Sequence, residues 1–378
     1  MKKQKKNKVI EISGLIVVAS LAVIISFLVL RKPKVTYKYY VNNMESDFPI
    51  GTYVNYNCNN GVTLEYDEES REYKTSEIKK DTICNIYLES SASLYIYALA
   101  NNETTSKEFL VDNRENVRYI LDDAKNYVYF NCSDYANKDT CELWQIIGSF
   151  KDLDEDGNNF YSLKIINSKP LELQDINSNY VITKLAWHHN HEEGSNNFSN
   201  SNIYKLLNEA YYNGSGSFSY KRLDKDYTFD FSNVGLKNDK TRLAIREGLW
   251  HYSKFTDINL NVDAWFNNEY AEAYYTGKIG LINASDYAYS FGNACRNLEI
   301  NKFYTCQSKS WLKNTAGLWT INPQEEVGNT VYRISNEGAV NAVWPTNEYE
   351  IYPTLYLNSQ VKIIAGDGSY SNPYQLDI

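Results

Sequence analysis

The chain has 378 residues, of which 43% are hydrophobic and 15% aromatic, with 38 basic and 47 acidic residues and a formal net charge of −9. Its 34 tyrosines and 14 phenylalanines supply the apolar surface of packed cores, which excludes a largely disordered protein. Thirty of the basic and 46 of the acidic residues follow residue 34, so this part carries a net charge of −16 and nucleic acid is not expected as a partner.

Residues 1–34 predict a cytoplasmic tail and a transmembrane anchor. Five lysines precede an apolar run at residues 12–30, and Arg31, Lys32 and Lys34 follow it. A helix of this length measures roughly 28 Å, enough to span the hydrocarbon core of a bilayer. A cleaved signal peptide is the alternative, but its apolar region is normally about 7–15 residues and ends in small residues. Basic residues flank both sides, so the orientation has to come from the cysteines.

All six cysteines follow the apolar run and form three local pairs: Cys58 with Cys84, Cys132 with Cys141, and Cys295 with Cys306. Local pairs of this kind are typical of an oxidising exterior. We therefore expect three disulfides in an ectodomain that lies outside the cell membrane, C-terminal to a single span. Six cysteines allow 15 connectivities, and six buried free thiols are the alternative.

Residues 35–92 predict a small β domain. Short runs of β-forming residues occur at 53–56 and 84–87, and Asn59-Asn60-Gly61 is a turn signal between them. A domain of this size needs a covalent link such as a Cys58–Cys84 disulfide. Residues 93–116 join an apolar patch to a polar run and are interpreted as a linker.

Residues 117–378 predict one α+β domain. Apolar runs at 143–147 and 160–166 indicate a hairpin, and apolar spacing at 203–211 indicates a helix with Ser201 as its N-cap. A second helix is expected at about 238–252 and a strand at 278–282. Closely spaced strands follow at 331–334, 339–343, 354–357 and 361–364. We expect the hairpin to share a sheet with strand 354–357, because the two strand-rich ends can bury their apolar residues against each other.

Ten segments of residues 117–378 carry a resemblance to a known type of domain. They are NYVYFNC (126–132), CELWQIIG (141–148), IYKLLN (203–208), GKIGLINASDY (277–287), WL (311–312), WTINP (319–323), VYRISNEG (331–338), YPTLYL (352–357), GDGS (366–369) and NPY (372–374). In this order they resemble an uncharacterised family of extracytoplasmic domains from Gram-positive gut bacteria. That family is itself similar to the C-type-lectin-like fold of the formylglycine-generating enzymes, or sulfatase-modifying factors. The resemblance implies a C-type-lectin-like α+β fold and carries no assigned activity.

Two segments have metal-ligand character, but we expect no metal or cofactor at either. His188, His189 and His191 lie in a polar, Gly-, Ser- and Asn-rich segment, where ordering the ligands costs entropy. The loop from Asp152 to Gly157 reproduces the first half of an EF-hand loop. Its twelfth position is Leu163 instead of a bidentate Glu, so a plain hairpin turn explains the same residues.

The motifs of the two related activities are missing. Calcium-dependent lectins use a Glu-Pro-Asn or Gln-Pro-Asp triplet, and neither occurs here. Formylglycine-generating enzymes have two nearby active-site cysteines, whereas Cys295 and Cys306 are eleven residues apart. A structural disulfide is the simpler interpretation of this pair.

Aromatic and polar residues in the C-terminal third are the candidate ligand site. They are Trp311, Trp319, Asn322, Glu325, Arg333, Trp344, Asn347 and Tyr349. Flat rings beside amides and charges suit glycan or protein ligands, although most such rings belong to cores. The sequence thus predicts a non-catalytic, membrane-anchored cell-surface binding protein of undetermined oligomeric state. An extracytoplasmic enzyme of the formylglycine-generating type and a structural envelope protein are the alternatives.

Overall fold

The structure is a computed structural model that describes residues 32–378 apart from 68, 69, 71, 154–158, 179, 191, 223, 224, 254–256, 272, 273, 307, 308, 313–316 and 325–328. The chain divides into two compact units, Met1–Glu89 and Ser90–Ile378. The expected membrane span at 12–30 lies outside the described residues.

The small unit is all β in its described part. Its strands are β1 (Val35–Val41), β2 (Met44–Ser46), β3 (Thr52–Cys58), β4 (Leu64–Asp67), β5 (Glu72–Thr75) and β6 (Thr82–Glu89). Four of them form a sheet in the order β2-β1-β6-β3, and β4 pairs with β5. Cys58 and Cys84 lie directly opposite each other on β3 and β6 and are joined by a disulfide. The ring of Tyr66 stacks on that of Tyr53 and contacts that of Tyr73 at a tilt.

The large unit contains short helices and many strands. Its helices are α1 (Ala92–Ala100), α2 (Asn202–Lys205, which continues as a π-helix over Leu206–Tyr211), α3 (Asp239–Ala244), α4 (Val262–Glu269) and α5 (Ala284–Tyr289), with 3₁₀ turns at Ser106–Glu108, Lys138–Thr140, Phe198–Asn200, Gly292–Cys295 and Ile300–Thr305. Its strands are β7 (Phe109–Val111), β8 (Val117–Tyr119), β9 (Tyr127–Phe130), β10 (Glu142–Leu153), β11 (Asn159–Asn167), β12 (Leu173–Gln174), β13 (Val181–Ile182), β14 (Lys184–Ala186), β15 (Ser217–Arg222), β16 (Lys225–Asp230), β17 (Gly248–His251), β18 (Tyr274–Gly277), β19 (Ile279–Gly280), β20 (Leu318–Pro323), β21 (Val331–Ile334), β22 (Val340–Val343), β23 (Glu348–Glu350), β24 (Thr354–Leu357), β25 (Lys362–Ala365) and β26 (Gln375–Asp377).

A seven-stranded sheet is the centre of the large unit. Six strands follow the order β19-β24-β11-β10-β8-β7, and β9 also pairs with β10. The hairpin expected at 143–166 is confirmed as β10 and β11, and β24 adds to it antiparallel, with Leu163 opposite Leu357. The expectation that the two ends of the domain share one sheet is therefore confirmed.

The two faces of this sheet are chemically different. Tyr161, Leu163 and Ile165 alternate onto one face, where the ring of Tyr97 on α1 contacts Tyr161. Lys164 alternates onto the other face, where it bonds to Asp286 on α5. The central sheet is therefore covered on both faces, and charged side chains lie inside one of the two layers.

A second sheet of five strands lies in the C-terminal part of the large unit, in the order β14-β23-β20-β21-β22. β21 and β24 coincide with the strands expected at 331–334 and 354–357. The connection from β22 to β23 crosses the positions of β20 and β21. It contains a turn at residues 344–347, in which Pro345 is buried and the other three residues are exposed.

The expected α+β class is wrong for the described chain, which is mostly β, with 40% strand and 19% helix. Across residues 32–378, gaps aside, no helix is long and apolar enough to cross a membrane. Short apolar runs do not distinguish strand from helix by periodicity alone, and here most of them pair as strands.

Residues 238–252, which were expected to form one helix, illustrate why the predicted helix content was too high. The helix ends at Ala244, since Ile245 has extended backbone at φ −82° and ψ 123°. Arg246 N then donates to Tyr356 O, and β17 pairs with β18. Tertiary pairing with β24 and β18 thus overrides the helical pattern beyond Ala244. Ser201, in contrast, caps α2 as expected, with Tyr204 N donating to its Oγ.

The segment 93–116, interpreted from sequence as a linker, contains most of α1, a 3₁₀ turn and β7. Ser91 caps α1, and Ser93 Oγ donates to Tyr161 O on β11 at 2.8 Å. β7 pairs with β8 at the edge of the central sheet. This segment is thus built into the large unit.

Candidate functional site

Two of the candidate ligand-binding residues belong to the interior. Trp319 is fully buried on β20, and its Nε1 donates to Leu185 O at 2.8 Å. Asn322 is also fully buried, and its Oδ1 accepts a hydrogen bond from Ala284 N at 2.8 Å. These contacts tie β20 to β14 and to the start of α5, and neither side chain reaches the surface.

A series of rings runs from this interior to the surface. Trp187 contacts both Phe198 and Trp319, with ring centroids 5.4 and 5.7 Å apart. Trp319 meets Tyr349 edge to face at 4.9 Å, and the Arg333 guanidinium lies 4.5 Å above the centroid of the Tyr349 ring. Tyr349 and Arg333 are both half-buried, so the series ends in a cation–π pair at the protein surface.

Trp344 and Asn347 are exposed on the turn between β22 and β23, where Asn347 N donates to Trp344 O at 3.0 Å. His188 N donates to Pro345 O at 3.0 Å and fixes this turn against the loop after β14. The rings of His188 and His189 stack with centroids 4.3 Å apart. We call Trp344, Asn347, His188 and His189 the Trp344 surface.

Of the two remaining candidates, Trp311 does not join this surface. Trp311 is half-buried, and its Nε1 donates to Tyr119 O on β8 of the central sheet at 3.0 Å. Glu325 lies outside the described residues. The structure therefore brings together Trp344 and Asn347 and, as a separate pair, Arg333 and Tyr349.

Burial lowers the pKa of His188, and the neighbouring His189 lowers it further. His188 is therefore neutral at physiological pH, and its ring can both donate and accept a hydrogen bond. Asn190 N already donates to its Nδ1 at 3.3 Å. The Trp344 surface thus combines one large apolar ring with the neutral imidazole of His188 and the amide of Asn347.

A second cluster, which sequence reasoning missed, lies between the central sheet and α5. We call Arg118, Asp112, Lys164, Asp286 and Asn283 the ionic cluster. Lys164 Nζ lies 2.6 Å from Asp286 Oδ2 and 2.9 Å from Asn283 Oδ1. Arg118 bonds to Asp286 and donates from Nε to Asp112 Oδ2 at 2.8 Å. All five side chains are buried, and two cations face two carboxylates.

Aromatic rings surround this cluster. Lys164 Nζ lies 5.2 Å from the ring centroids of Phe150 and Tyr356 and 5.4 Å from that of Trp250. Burial raises the pKa of Asp286, but Lys164 and Arg118 outweigh that effect and hold its pKa below the usual value. Asp286 is therefore an ionised carboxylate in a largely apolar layer.

Single charges inside apolar runs were the signal that could have located this cluster. Arg118 stands in the run Val117-Arg118-Tyr119-Ile120, and Lys164 stands between Leu163 and Ile165. Charged residues are almost never fully buried unless they are paired. A charge at a core-facing position of a strand therefore predicts a buried partner, although the sequence does not name it.

The three expected disulfides are confirmed: Cys58–Cys84, Cys132–Cys141 and Cys295–Cys306, with Cα atoms 4.0, 3.8 and 5.9 Å apart. All six cysteines are described, and none is free. His191 and residues 154–158 of the acidic loop lie outside the description. In the part of the chain that is described, no three His, Cys, Asp or Glu side chains form a metal site.

No model of a known protein family matches the chain, and no curated protein or solved structure is significantly similar to it. The resemblance to the Gram-positive extracytoplasmic family therefore rests on the ten sequence segments alone.

Proposed function

We propose that this chain is a membrane-anchored binding protein of the cell surface, without catalytic activity, and that the Trp344 surface contacts a glycan or protein ligand. The observation that carries the proposal is the exposure of Trp344, of which 46% is accessible to solvent. Five of the other six tryptophans are fully buried and Trp311 is half-buried. An exposed Trp in a chain that buries its other indoles is unusual for a purely structural position.

The turn that holds Trp344 is suited to binding. Its backbone is fixed by the bonds from Asn347 N to Trp344 O and from His188 N to Pro345 O. A ring on a fixed backbone loses little conformational entropy when a ligand covers it, and it offers a large apolar contact area. Asn347 and His189 are exposed beside it and can hydrogen-bond to hydroxyl or amide groups of a ligand.

The enzymatic alternative gains no support from the cysteines. Cys295 and Cys306 are joined in a disulfide, so neither supplies the free thiol that an oxidase of the formylglycine-generating type uses. The structural alternative predicts that Trp344 has no ligand, which makes it distinguishable by experiment.

The test compares the full-length protein with its Trp344→Ala variant on an array of cell-wall glycans and host glycoproteins. We expect the variant to lose about tenfold or more in affinity for the retained ligand, as is usual for an aromatic residue at the centre of an interface. Tyr370→Ala is the matched control, because Tyr370 is 72% exposed and contacts Tyr127 of the other sheet.

Melting temperatures of the three proteins should agree, since both truncated rings lie at the surface. Equal binding by wild-type protein and Trp344→Ala would contradict the assignment of the site. Absence of any retained glycan or protein would favour the structural alternative instead.

A further inference from the structure

We propose that Lys164 and Asn283 become joined by an amide bond between their side chains, with release of ammonia, and that Asp286 moves the protons of this reaction. The link would connect β11 in the centre of the main sheet to the residue that precedes α5. It is independent of the ligand-binding proposal, because its side chains are buried between the central sheet and α5, away from the Trp344 surface.

The geometry brings the reacting groups together. Lys164 Nζ lies 2.9 Å from Asn283 Oδ1, so the amine is held beside the carboxamide carbon that it has to attack. Asn283 Nδ2, the leaving nitrogen, donates to His251 O at 2.9 Å, and this bond fixes the plane of the amide. Holding two groups in contact in one orientation removes most of the entropic barrier to such a reaction.

Asp286 is positioned to act on both partners. Its Oδ2 lies 2.6 Å from Lys164 Nζ and accepts a hydrogen bond from Asn283 N at 3.2 Å. As an ionised carboxylate with a buried ammonium as neighbour, it can accept the proton whose removal turns Lys164 into a nucleophile.

The second cation of the cluster, Arg118, keeps a carboxylate partner during this proton transfer. Arg118 is paired with Asp112 as well as with Asp286, so transfer from Lys164 to Asp286 leaves one cation opposite one carboxylate. The rings of Phe150, Trp250 and Tyr356 exclude water around Nζ.

The steps balance without an external reactant. Asp286 takes one proton from the Lys164 ammonium, and Nζ attacks Cγ of Asn283. A second proton passes from Nζ to Nδ2, the Cγ–Nδ2 bond breaks, and the nitrogen leaves as ammonium with the proton that Asp286 had held. One ammonium group and one carboxamide become one secondary amide and one free ammonium ion.

The product removes the Lys164 charge, leaves Arg118 bonded to both Asp112 and Asp286, and ties together positions 119 residues apart in sequence. A covalent link across so long a loop restricts the unfolded chain, as a disulfide does. Unlike a disulfide, it also resists reduction.

Mass spectrometry of the full-length, disulfide-reduced protein tests the proposal without any variant. We expect the intact mass to be lower than the sequence mass by one ammonia, and trypsin to release one branched peptide that contains both Lys164 and Asn283. An intact mass equal to the sequence mass overturns the proposal. Loss of ammonia without a joined peptide also overturns it, because Asn60 and Asn213 precede glycine and can lose ammonia by cyclising.

Variants of Lys164, Asn283 and Asp286 test the proposed roles of these side chains in the reaction. Asn283→Asp should still form the link but lose water instead of ammonia, whereas Asp286→Asn and Lys164→Arg should keep the full sequence mass. Lys278→Arg is the control, since Lys278 bonds to Tyr212 at 2.7 Å and should leave the link intact. A joined peptide in Lys164→Arg, or its loss in Lys278→Arg, contradicts the assignment.

Discussion

Buried charge is the main feature of this protein at the scale of single residues. Two cations, Arg118 and Lys164, pair with two carboxylates, Asp112 and Asp286, inside the large unit. Removing one partner of such a network leaves an uncompensated charge and typically costs about 3–5 kcal/mol. Beside this network lies Glu269, which is fully buried and forms no salt bridge with a cation of the described residues. Trp265 Nε1 donates to its Oε1 at 2.7 Å, and Ser285 bonds to both oxygens.

Glu269 is expected to make stability depend on pH. Burial raises its pKa from 4.5 to about 7, and the hydrogen bonds from Ser285 and Trp265 only partly offset this. A folded-state pKa above that of the unfolded chain means that the folded state holds the proton more tightly. The stabilisation of the folded state by protonated Glu269 is therefore complete below about pH 4.5 and is lost as pH rises to about 7. It amounts to about 3 kcal/mol.

Glu269→Gln mimics the protonated side chain at every pH. We expect its free energy of unfolding to match wild type near pH 4.5 and to exceed it by about 2–3 kcal/mol above pH 7. Urea unfolding of both proteins at several pH values measures the difference, in which the titration of all other groups cancels. A constant difference between the two proteins across this range would show that Glu269 does not titrate between the two limits.

At the scale of secondary-structure elements, sequence patterns correctly predicted the long or strongly β-branched strands. They failed where pairing with a distant strand decides whether a segment forms a helix or a strand. Strands 331–334 and 354–357 and the cap at Ser201 follow from local residues. The helix expected beyond Ala244 does not form, because Arg246 N donates to Tyr356 O and β17 joins β18. No local pattern in residues 245–252 contains those partners, which lie more than twenty residues away in the chain.

In the candidate site too, local sequence explains the position of some residues, whereas tertiary contacts explain that of others. Exposure of Trp344 and Asn347 agrees with their place in a polar turn. Trp319 and Asn322 are buried because β14 and α5 bond to them, and these are tertiary contacts between residues far apart in the sequence. The ionic cluster joins residues 112 to 286, so the sequence could mark its members only as unusual charges in apolar runs.

Gly148 on β10 allows the close approach of β8 on which the Arg118 position depends. A Cβ atom at Gly148 would lie 2.0 Å from Val117 O, which is backbone and cannot move without shifting β8. We expect Gly148→Ala to destabilise the large unit by about 2 kcal/mol or more, as in other overpacked interiors. Chemical denaturation monitored by tryptophan fluorescence measures this loss.

The adjacent Ser149 is the control for that substitution. Its side chain is also buried, and its Oγ has no hydrogen-bond partner within the described structure. Ser149→Ala is therefore expected to change the free energy of unfolding by less than about 1 kcal/mol. Equal stability of Gly148→Ala and wild type would mean that β8 can move away from β10 at little cost.

At the scale of the whole molecule, the chain consists of two compact units, and each contains at least one disulfide. A small β unit of this kind buries too little surface to be stable by packing alone, so the Cys58–Cys84 bond restricts its unfolded state. Disulfides persist in oxidising compartments. The confirmed pairing of all six cysteines thus supports the proposal that residues after 34 lie outside the cytoplasm.

The last prediction concerns this topology. We expect the chain to insert with its N-terminus in the cytoplasm and to keep its anchor, because the apolar run at 12–30 is long enough to span a bilayer and lacks the small-residue ending of a signal peptide. In protoplasts that express the chain with a C-terminal tag, added protease should remove the tag while a cytoplasmic reporter stays intact. N-terminal sequencing of the membrane-bound protein should give the residues at the start of the chain. A tag that is digested only after lysis would place the C-terminus inside, and a mature N-terminus near residue 30 would show that the apolar run is removed.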